Sequence, residues 1–390
     1  MKVSVFLHGL DNGSFYRLAV TLIPCFQILG IDVEAVVASG DPEVTQKFSF
    51  PVHYIGSGPM SVIGLASYLR RSRPDVLMAM PMSKNFIALL ARTLSMTKTK
   101  VVITEHTTMS DELYREHADN KKMRLLYPQL VRLIYPTRDG LIYPTNAVVE
   151  DKLFSSLIKL DSKPHRRIHN PLPTREEVLT PAAAPHPWLT TDREMPVVLG
   201  VGRLMEQKGF DILIRSAAVL RDQQRPVRLI ILGEGDREAD LRTLIKKLDL
   251  GNYVDMPGYV ENVLDYMRGA DVFALSSKWE TFGLVLVEAM VAGLPIVSTR
   301  IPGGPEEVLE DGKTAVLVQT EDPAAFASGI RRVIDDRVLA ARLVENGYAE
   351  AGKYQPEAVA KQYVAFFEQV LGRRTTQDAA TLISAASRSS

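Results

Sequence analysis

Short apolar runs alternate with amphipathic helical patterns along most of the chain. The first part predicts strands at Lys2–Leu7, Val33–Ala38 and Val76–Met80, with helices at Ser14–Leu29 and Val62–Arg70 between them. Strands and helices that alternate at this spacing are typical of a parallel sheet covered by helices on its faces. The pattern therefore predicts an α/β fold that starts at the first residues.

A second alternation of the same kind begins after a proline-rich segment. Residues 180–187 contain three prolines and no periodicity, which indicates a connector. Strands at Val197–Val201 and Val227–Leu232 then alternate with helices at Phe210–Leu220 and Arg237–Leu248. We predict two doubly wound domains, 1–175 and 196–355, a linker at 176–195, a helix at 356–371 that packs back across the first domain, and a frayed tail at 372–390.

Composition adds little to this picture. The 390 residues balance 46 basic against 46 acidic side chains, so no nucleic-acid partner is expected. Residues 1–180 are modestly basic, with cations grouped at 70–73, 98–100 and 121–124. Such groups predict either a solvated face or a contact with an anionic acceptor or a membrane surface. The single cysteine, Cys25, and the absence of an apolar stretch of spanning length favour a cytoplasmic protein, peripheral to a membrane at most.

Charged residues follow the first strand of the second domain. Arg203 and Lys208 lie five residues apart in a loop that opens a helix, and Gly209 would let backbone approach closely. A bidentate guanidinium and a compact ammonium suit a diphosphate, although both could also be surface cations beside a turn. The next two strands end at Gly233 and at Gly258, and the open backbone of Gly258, Tyr259 and Val260 could bind a nucleobase.

Two carboxylates mark the exit of a further strand. Glu280 lies in the loop and Glu288 lies more than a turn into the following helix, so the first could reach a sugar and the second a ribose. The amides of Phe282, Gly283 and Leu284 would point from the helix start toward an anion. The alternative is a helix-start carboxylate followed by a solvated one. The sequence has no Asp-x-Asp and no His/Cys cluster with ligand spacing, so we expect no metal and no cofactor.

These motifs resemble the retaining glycosyltransferases of family 4, over nearly the whole chain. Glu280 to Glu288 is similar to that family's E-x7-E motif, and Gly202 to Gly209 and Ile301 to Glu307 support the match. The resemblance implies a GT-B fold of two facing Rossmann-like domains. It implies a nucleotide-sugar donor, by default a UDP-sugar, on the second domain.

The resemblance also implies two sites in the first domain. Residues 8–14 occupy the place of the family's glycine-rich loop, with Gly13 as the residue expected near the donor, and His106 is similar to the family's histidine beside the donor sugar. A histidine that caps the following segment is the alternative for His106. Together these assignments give His106 and Glu280 catalytic roles.

The predicted reaction is metal-independent transfer of a hexose-type sugar with retention of configuration, to a hydroxyl of a glycan, lipid-linked or small-molecule acceptor. We expect the enzyme to act in polysaccharide biosynthesis. No protein nucleophile is required, because transfer takes place on the face from which the diphosphate leaves and the leaving diphosphate can take the acceptor's proton. A nucleotide-sugar epimerase of the same architecture and a non-catalytic sugar-nucleotide-binding subunit are the alternatives.

Overall fold

The structure, a computed structural model, describes residues 1–10, 14–40, 48–58, 60–80, 82–113, 121–172, 185–190, 192–301 and 303–373. The chain divides into two compact units. The first unit contains residues up to Pro171 together with those from Pro356 onward, and the second unit runs from Leu172 to Gln355. Each unit is built around one parallel sheet.

The described residues of the first unit form seven strands. They are β1 (Lys2–Leu7), β2 (Asp32–Val37), β3 (Val52–Tyr54), β4 (Val76–Ala79), β5 (Lys100–Thr104), β6 (Gly140–Tyr143) and β7 (His165–Arg167). Their order across the sheet is β3-β2-β1-β4-β5-β6-β7. The chain thus winds outward from β1 in one direction and then, from β4, in the other, which is the Rossmann arrangement.

Helices cover both faces of this sheet. Those of five or more residues in the described ranges before residue 172 are α1 (Ser14–Ile28), α2 (Met60–Ser72), α3 (Met82–Ser95), α4 (Lys121–Ile134), α5 (Asn146–Glu150) and α6 (Lys152–Leu157). Helix α3 packs between α2 and α4, and all three share one buried cluster with strand residues such as Leu77 and Ile103. The interior strands are almost wholly apolar, as expected of strands that are buried on both faces.

In the second unit, the residues that the structure describes form six strands. They are β8 (Val197–Val201), β9 (Arg228–Leu232), β10 (Val254–Gly258), β11 (Val272–Leu275), β12 (Ile296–Thr299) and β13 (Val316–Val318). Their order is β10-β9-β8-β11-β12-β13, with every pair parallel. The winding direction reverses between β8 and β11, so the loops after these two strands flank the crevice where ligands of doubly wound sheets bind.

In the described residues of the second unit, helices connect these strands and follow the last one. They are α7 (Phe210–Asp222), α8 (Glu238–Lys247), α9 (Val263–Gly269), α10 (Leu284–Val291), α11 (Gly304–Val308), α12 (Pro323–Asp335) and α13 (Arg337–Ala351). The Asp322 side chain accepts hydrogen bonds from the amides of Ala324 and Ala325, and Pro323 occupies the first helical position. Asp336 likewise caps α13 through the amide of Leu339.

The last helix, α14 (Pro356–Val370), belongs to the first unit. It packs against α1, and Phe366 and Phe367 are fully buried in the core that contains β1. A Cβ at Gly140 on β6 would lie 2.9 Å from the Phe366 ring and from Val370, so glycine allows this close approach. The predicted return of this helix to the first unit is confirmed.

Several elements lie outside the predicted pattern. Strands β3 and β7 are three-residue edge strands whose side chains are mostly polar or exposed, so neither has an apolar run to signal it. Helix α4 starts in a basic stretch that we interpreted only as charge. No helix in the described ranges combines the length and the apolar character needed to cross a bilayer.

Candidate active site

The loop after β8 carries the two predicted diphosphate cations. The Arg203 side chain is exposed, and in the described part of the chain no carboxylate lies within ion-pairing distance of it. A short helical turn, Glu206–Lys208, ends at Gly209, whose φ of 58° lies in the left-handed region. A Cβ on Gly209 would come within 2.2 Å of the carbonyl oxygen of Ser276, so only glycine lets this loop lie against the end of β11.

Lys208 and Glu280 form an ion pair where the winding of the second sheet reverses. The Lys208 Nζ donates to Glu280 Oε1, and the Ser277 hydroxyl donates to the same oxygen at 3.0 Å. The two charged side chains retain 16% and 8% of their exposure. A cation and a carboxylate from loops 72 residues apart therefore meet at the position where a doubly wound sheet binds ligands.

The loops after β8 and β11 are joined by further hydrogen bonds. The Ser276 hydroxyl donates to the carbonyl of Lys208 at 2.8 Å, and the amide of Lys278 donates to the carbonyl of Gln207 at 2.7 Å. The Gln207 side-chain amide donates to the carbonyl of Trp279 at 3.0 Å. Together with the ion pair, these three bonds hold the two loops against each other.

The end of β12 and the loop that follows it also contact the Glu280 loop. The Thr299 hydroxyl donates to the carbonyl of Ser277 at 2.6 Å, and Glu280 forms an isolated parallel bridge with Gly303. A Cβ on Gly304 would lie 2.1 Å from the Cα of Phe282, so this glycine allows the loops to touch. Gly303 and Gly304, both part of the predicted supporting motif, thus contact the loop that carries Glu280.

The helix after Glu280 begins later than predicted. Gly283 caps α10 in the left-handed conformation, with φ 75°, and the first helical residue is Leu284. Phe282, which we expected to begin the helix, is buried, and its ring centroid lies 5.8 Å from that of Tyr354. Glu288 lies in the fifth position of α10 and is only 9% exposed, which excludes the alternative that it is a solvated helix residue.

The segments that follow β9 and β10 lie beside the loop after β8, which carries Arg203 and Lys208. The amide of Gly233 donates to the carbonyl of Gly258 at 2.8 Å, and a Cβ on Gly233 would come within 2.0 Å of the carbonyl oxygen of Gly202. Tyr259 is 62% exposed and Val260 is half-buried. The predicted residues of the second unit, Glu288 inside α10 excepted, therefore lie at strand ends or in the loops and the helix start that directly follow them.

His106 follows β5 in the first unit. Its Nε2 lies 3.0 Å from the Thr104 hydroxyl, and its ring packs edge-on against Phe15 with centroids 5.1 Å apart. Burial lowers the pKa of His106 to about 4, although a hydrogen bond with Asn170 opposes the shift. The imidazole is therefore neutral near pH 7, when it can both donate and accept a hydrogen bond. Gly13 lies outside the described residues.

The residue before His106 is a buried carboxyl group. Glu105 Oε1 accepts hydrogen bonds from the Tyr135 hydroxyl and, at 2.8 Å, from the Asn85 amide. Burial raises the pKa of Glu105 to about 7, although these two hydrogen bonds oppose the shift. The sequence suggested no such partner network, because Asn85 and Tyr135 lie on helical segments far from Glu105 along the chain.

Sequence reasoning also missed Ser277 and Thr299, which hold the Glu280 loop. The only signal for Ser277 was its position in the polar segment at the end of an apolar strand. Within the described residues, no group of three or more His, Cys, Asp or Glu side chains is placed to hold a metal ion. Metal independence remains a prediction.

Two family models match the chain. Glycosyltransferase Family 4 matches residues 17–176, and Glycosyl transferases group 1 matches residues 188–350. The lipopolysaccharide core biosynthesis glycosyltransferase LpsE of Rhizobium meliloti is 33% identical over 177 residues, which are 45% of this chain and 51% of that protein. The match therefore spans about half the length of that relative.

A second relative matches over nearly its whole length. It is the N-acetylgalactosamine-N,N'-diacetylbacillosaminyl-diphospho-undecaprenol 4-alpha-N-acetylgalactosaminyltransferase of Campylobacter jejuni, 25% identical over 381 residues, which are 93% of this chain and 97% of that protein. Among solved structures, Anabaena HepE in complex with UDP has a TM-score of 0.76 at 19% identity, over 93% of this chain and 98% of HepE. HepE is also solved with UDP-glucose. The likeness confirms the predicted GT-B type of fold.

Proposed function

Because the chain belongs to glycosyltransferase family 4, we propose that it transfers a hexose-type sugar from a nucleotide diphosphate donor to an acceptor hydroxyl. The observation that carries this proposal is the Lys208–Glu280 pair at the switch point of the second sheet, with the exposed Arg203 on the same loop as Lys208. UDP is the proposed nucleotide, supported by its presence in HepE. The acceptor is a glycan, lipid-linked or small-molecule hydroxyl, and the Campylobacter relative's diphospho-undecaprenol acceptor favours a lipid-linked one.

The cations and the helix start are assigned to the donor's diphosphate. Arg203 can bind its oxygens bidentately, while Lys208 would move from Glu280 toward the phosphates when the donor enters. The amides of Gly283 and Leu284 add the partial positive charge of the α10 start. These groups would stabilise the charge that develops as the diphosphate leaves, and electrostatic stabilisation of this kind contributes most of the rate enhancement in many enzymes.

The carboxylates are assigned to the sugars of the donor. Glu280 orients the transferred sugar and stabilises positive charge at its anomeric carbon, and Glu288 binds the ribose hydroxyls. Tyr259 and the backbone of Gly258 and Val260 lie at the exit proposed for the base. His106, as a neutral imidazole, is assigned to the donor sugar.

The reaction would proceed with retention and without a metal. The acceptor's hydroxyl attacks the anomeric carbon on the face from which the diphosphate departs, the carbon–oxygen bond to the diphosphate breaks, and a diphosphate oxygen receives the hydroxyl proton. The reaction therefore needs no protein nucleophile. Glu280 then acts by electrostatics and orientation.

The first experiment is a thermal-shift panel of nucleotide sugars on the full chain, since a ligand that binds the native state raises its melting temperature. The best donor is next incubated with and without acceptor, before and after dialysis against EDTA. Transfer to a product whose anomeric configuration, read by NMR, equals that of the donor supports the proposal. An altered UDP-sugar in the absence of acceptor would instead identify an epimerase, and binding with neither transfer nor hydrolysis would identify a non-catalytic subunit.

Two variants test the residue roles. The double substitution Arg203→Ala with Lys208→Ala should lower transfer strongly, because each lost hydrogen bond to a charged group contributes about 1.5–3 kcal/mol. Lys246→Ala, an exposed cation on α8 away from the strand exits, is the matched control. Glu288→Ala should weaken nucleotide binding by calorimetry, and undiminished affinity would contradict the ribose role.

A further inference from the structure

One helical layer of the first unit has an unusual charge composition. Helices α2, α3 and α4 contain eight basic residues and no Asp or Glu. They lie side by side on one face of the sheet, with α3 packed between the other two. Because each of them buries its inner side in the same cluster, their outer sides form one solvent-facing layer, which we call the α2–α4 layer.

Large apolar side chains are exposed on this layer. Leu125 is 71% exposed, Leu126 57%, and Leu133 75%, all on α4. The other exposed apolar residues of the layer are Met60, Ile63, Leu90, Leu94 and Leu130. Single exposed apolar residues are ordinary on a protein surface, but so many on three adjacent helices mark an interaction surface.

Cations accompany these apolar residues. Helix α4 begins with two lysines and also contains Arg124 and Arg132. Arg71 on α2 and Arg132 on α4 are exposed, and in the described part of the chain no carboxylate lies within ion-pairing distance of either. The layer therefore combines aliphatic side chains with uncompensated positive charge.

We propose that the α2–α4 layer docks on the surface of an anionic lipid bilayer, with the α4 leucines inserted at the boundary between headgroups and acyl chains. Helices that lie in a membrane interface combine Leu or Phe with Lys and Arg in this way. Anionic headgroups complement the cations. Each cation near the surface contributes separately to the attraction, so the contributions of several cations add.

The composition of the layer favours a bilayer over other partners. The exposed large apolar residues of the three helices are all aliphatic or Met, whereas protein-binding hot spots are enriched in Trp, Tyr and Arg and poor in Leu. A single-stranded nucleic acid would call for aromatic side chains on which bases stack, and the layer exposes none of these among its described large apolar residues. A bilayer surface uses the leucines and the cations together.

Vesicle flotation with the purified full chain tests the proposal. The chain should float with vesicles of phosphatidylcholine and phosphatidylglycerol, should not float with phosphatidylcholine alone, and should be released as salt increases. This assay needs no donor or acceptor, so its result is independent of the proposed transferase activity. A chain that stays unbound to the anionic vesicles overturns the proposal.

Two pairs of variants separate the apolar and charged contributions. Leu126→Gln with Leu133→Gln should lower the vesicle partition coefficient roughly tenfold or more. Ile28→Gln with Val338→Gln changes two residues of similar exposure outside the layer and should leave binding unchanged. If the leucine variant floats as well as the unchanged chain, the leucines do not insert and the proposal fails.

Arg71→Gln with Arg132→Gln should lower binding to the anionic vesicles roughly thirtyfold, since each cation near the surface contributes to the attraction. Lys246→Gln with Lys247→Gln, two exposed cations at the end of α8, is the matched control. Because all these positions are exposed, circular dichroism should show unchanged folding. Sedimentation velocity covers the rival occupant: a dimer that the leucine substitutions dissociate, without vesicle binding, would show that the layer binds a second copy instead.

Discussion

The Lys208–Glu280 ion pair gives the most informative prediction, because it connects the stability of the second unit with donor binding. We consider Glu280→Gln, which removes the negative charge but keeps an oxygen that can accept the bonds from Lys208 and Ser277. Lys208→Met is the companion change, since it keeps most of the length of the unbranched side chain and removes the cation. The two variants and their combination form a double-mutant cycle.

The expected magnitude follows from the burial of the pair. Breaking a fully buried pair from one side costs about 3–5 kcal/mol, whereas an exposed pair is worth less than about 1 kcal/mol. Here the side chains keep 16% and 8% of their exposure, so the pair lies close to the buried limit but within reach of water. We expect Glu280→Gln to lower the free energy of unfolding by about 2 kcal/mol, the value of one hydrogen bond to a charged group.

Tryptophan fluorescence can measure this change in the free energy of unfolding for the second unit specifically. The chain has two tryptophans, Trp188 and Trp279, and both belong to the second unit. Trp279 lies next to Glu280, and its carbonyl accepts the bond from Gln207. Urea unfolding followed by fluorescence therefore reports the unit that contains the pair, without a contribution from the first unit.

Donor binding gives the second measurement. In the role proposed for Lys208, a diphosphate would compete with Glu280 for its ammonium, so Glu280→Gln should bind UDP more tightly, by roughly tenfold if the released interaction is near 1.4 kcal/mol. Lys208→Met should bind UDP at least roughly tenfold more weakly. A coupling energy below about 0.5 kcal/mol would show that the pair does not stabilise the unit. UDP affinities equal to that of the unchanged chain in both variants would refute the diphosphate role of Lys208.

Three further predictions concern Gly209 in the second unit and the buried residues Glu105 and His106 in the first unit. Gly209→Ala should destabilise the second unit in urea unfolding by about 1–3 kcal/mol more than the control Gly312→Ala. Both glycines have a positive φ, but only a Cβ at position 209 meets a carbonyl oxygen, 2.2 Å away. Equal losses of unfolding free energy in the two variants would contradict this contact. Glu105 has its pKa raised to about 7 by burial, so the folded state keeps a proton that the unfolded state releases, and stability of the first unit should fall by about 3 kcal/mol as pH rises from 4.5 to about 7. Glu105→Gln, which keeps the oxygen that Tyr135 and Asn85 contact, should abolish this slope in hydrogen exchange of β5. His106 should titrate by NMR with a midpoint below 5, because burial lowers its pKa to about 4, and a midpoint near 6.5 would contradict its enclosed position.

The sequence predicted the doubly wound architecture because buried parallel strands are continuous apolar runs. β8 is of this kind, and the structure has it at the predicted bounds, Val197–Val201. β7 consists of His165, Arg166 and Arg167, and it is a strand only because β6 offers it an edge to pair with. That pairing depends on tertiary structure and leaves no periodic signal along the chain.

The candidate site also has features that the sequence predicts and features that depend on tertiary structure. Arg203, Lys208, Glu280 and Glu288 could be placed along one sheet edge because strand ends in a parallel sheet converge there. The pairing of Lys208 with Glu280 could not be predicted, since both had been assigned to different parts of the donor. It arises from Gly209 and the close contact of its loop with Ser276, a tertiary contact that the order of residues does not reveal.

The hydrogen bonds around this edge bear on how a donor would bind. The loops after β8, β11 and β12 are already joined through Ser276, Gln207 and Thr299, so binding need not order them. An ordered site loses little conformational entropy when its ligand enters. The main rearrangement left is the movement of the Lys208 ammonium away from Glu280, which explains why one charge-neutralising substitution should destabilise the free unit and strengthen nucleotide binding at once. A variant that destabilised the unit and also weakened UDP binding would mean that Glu280 holds the loops rather than restrains the lysine.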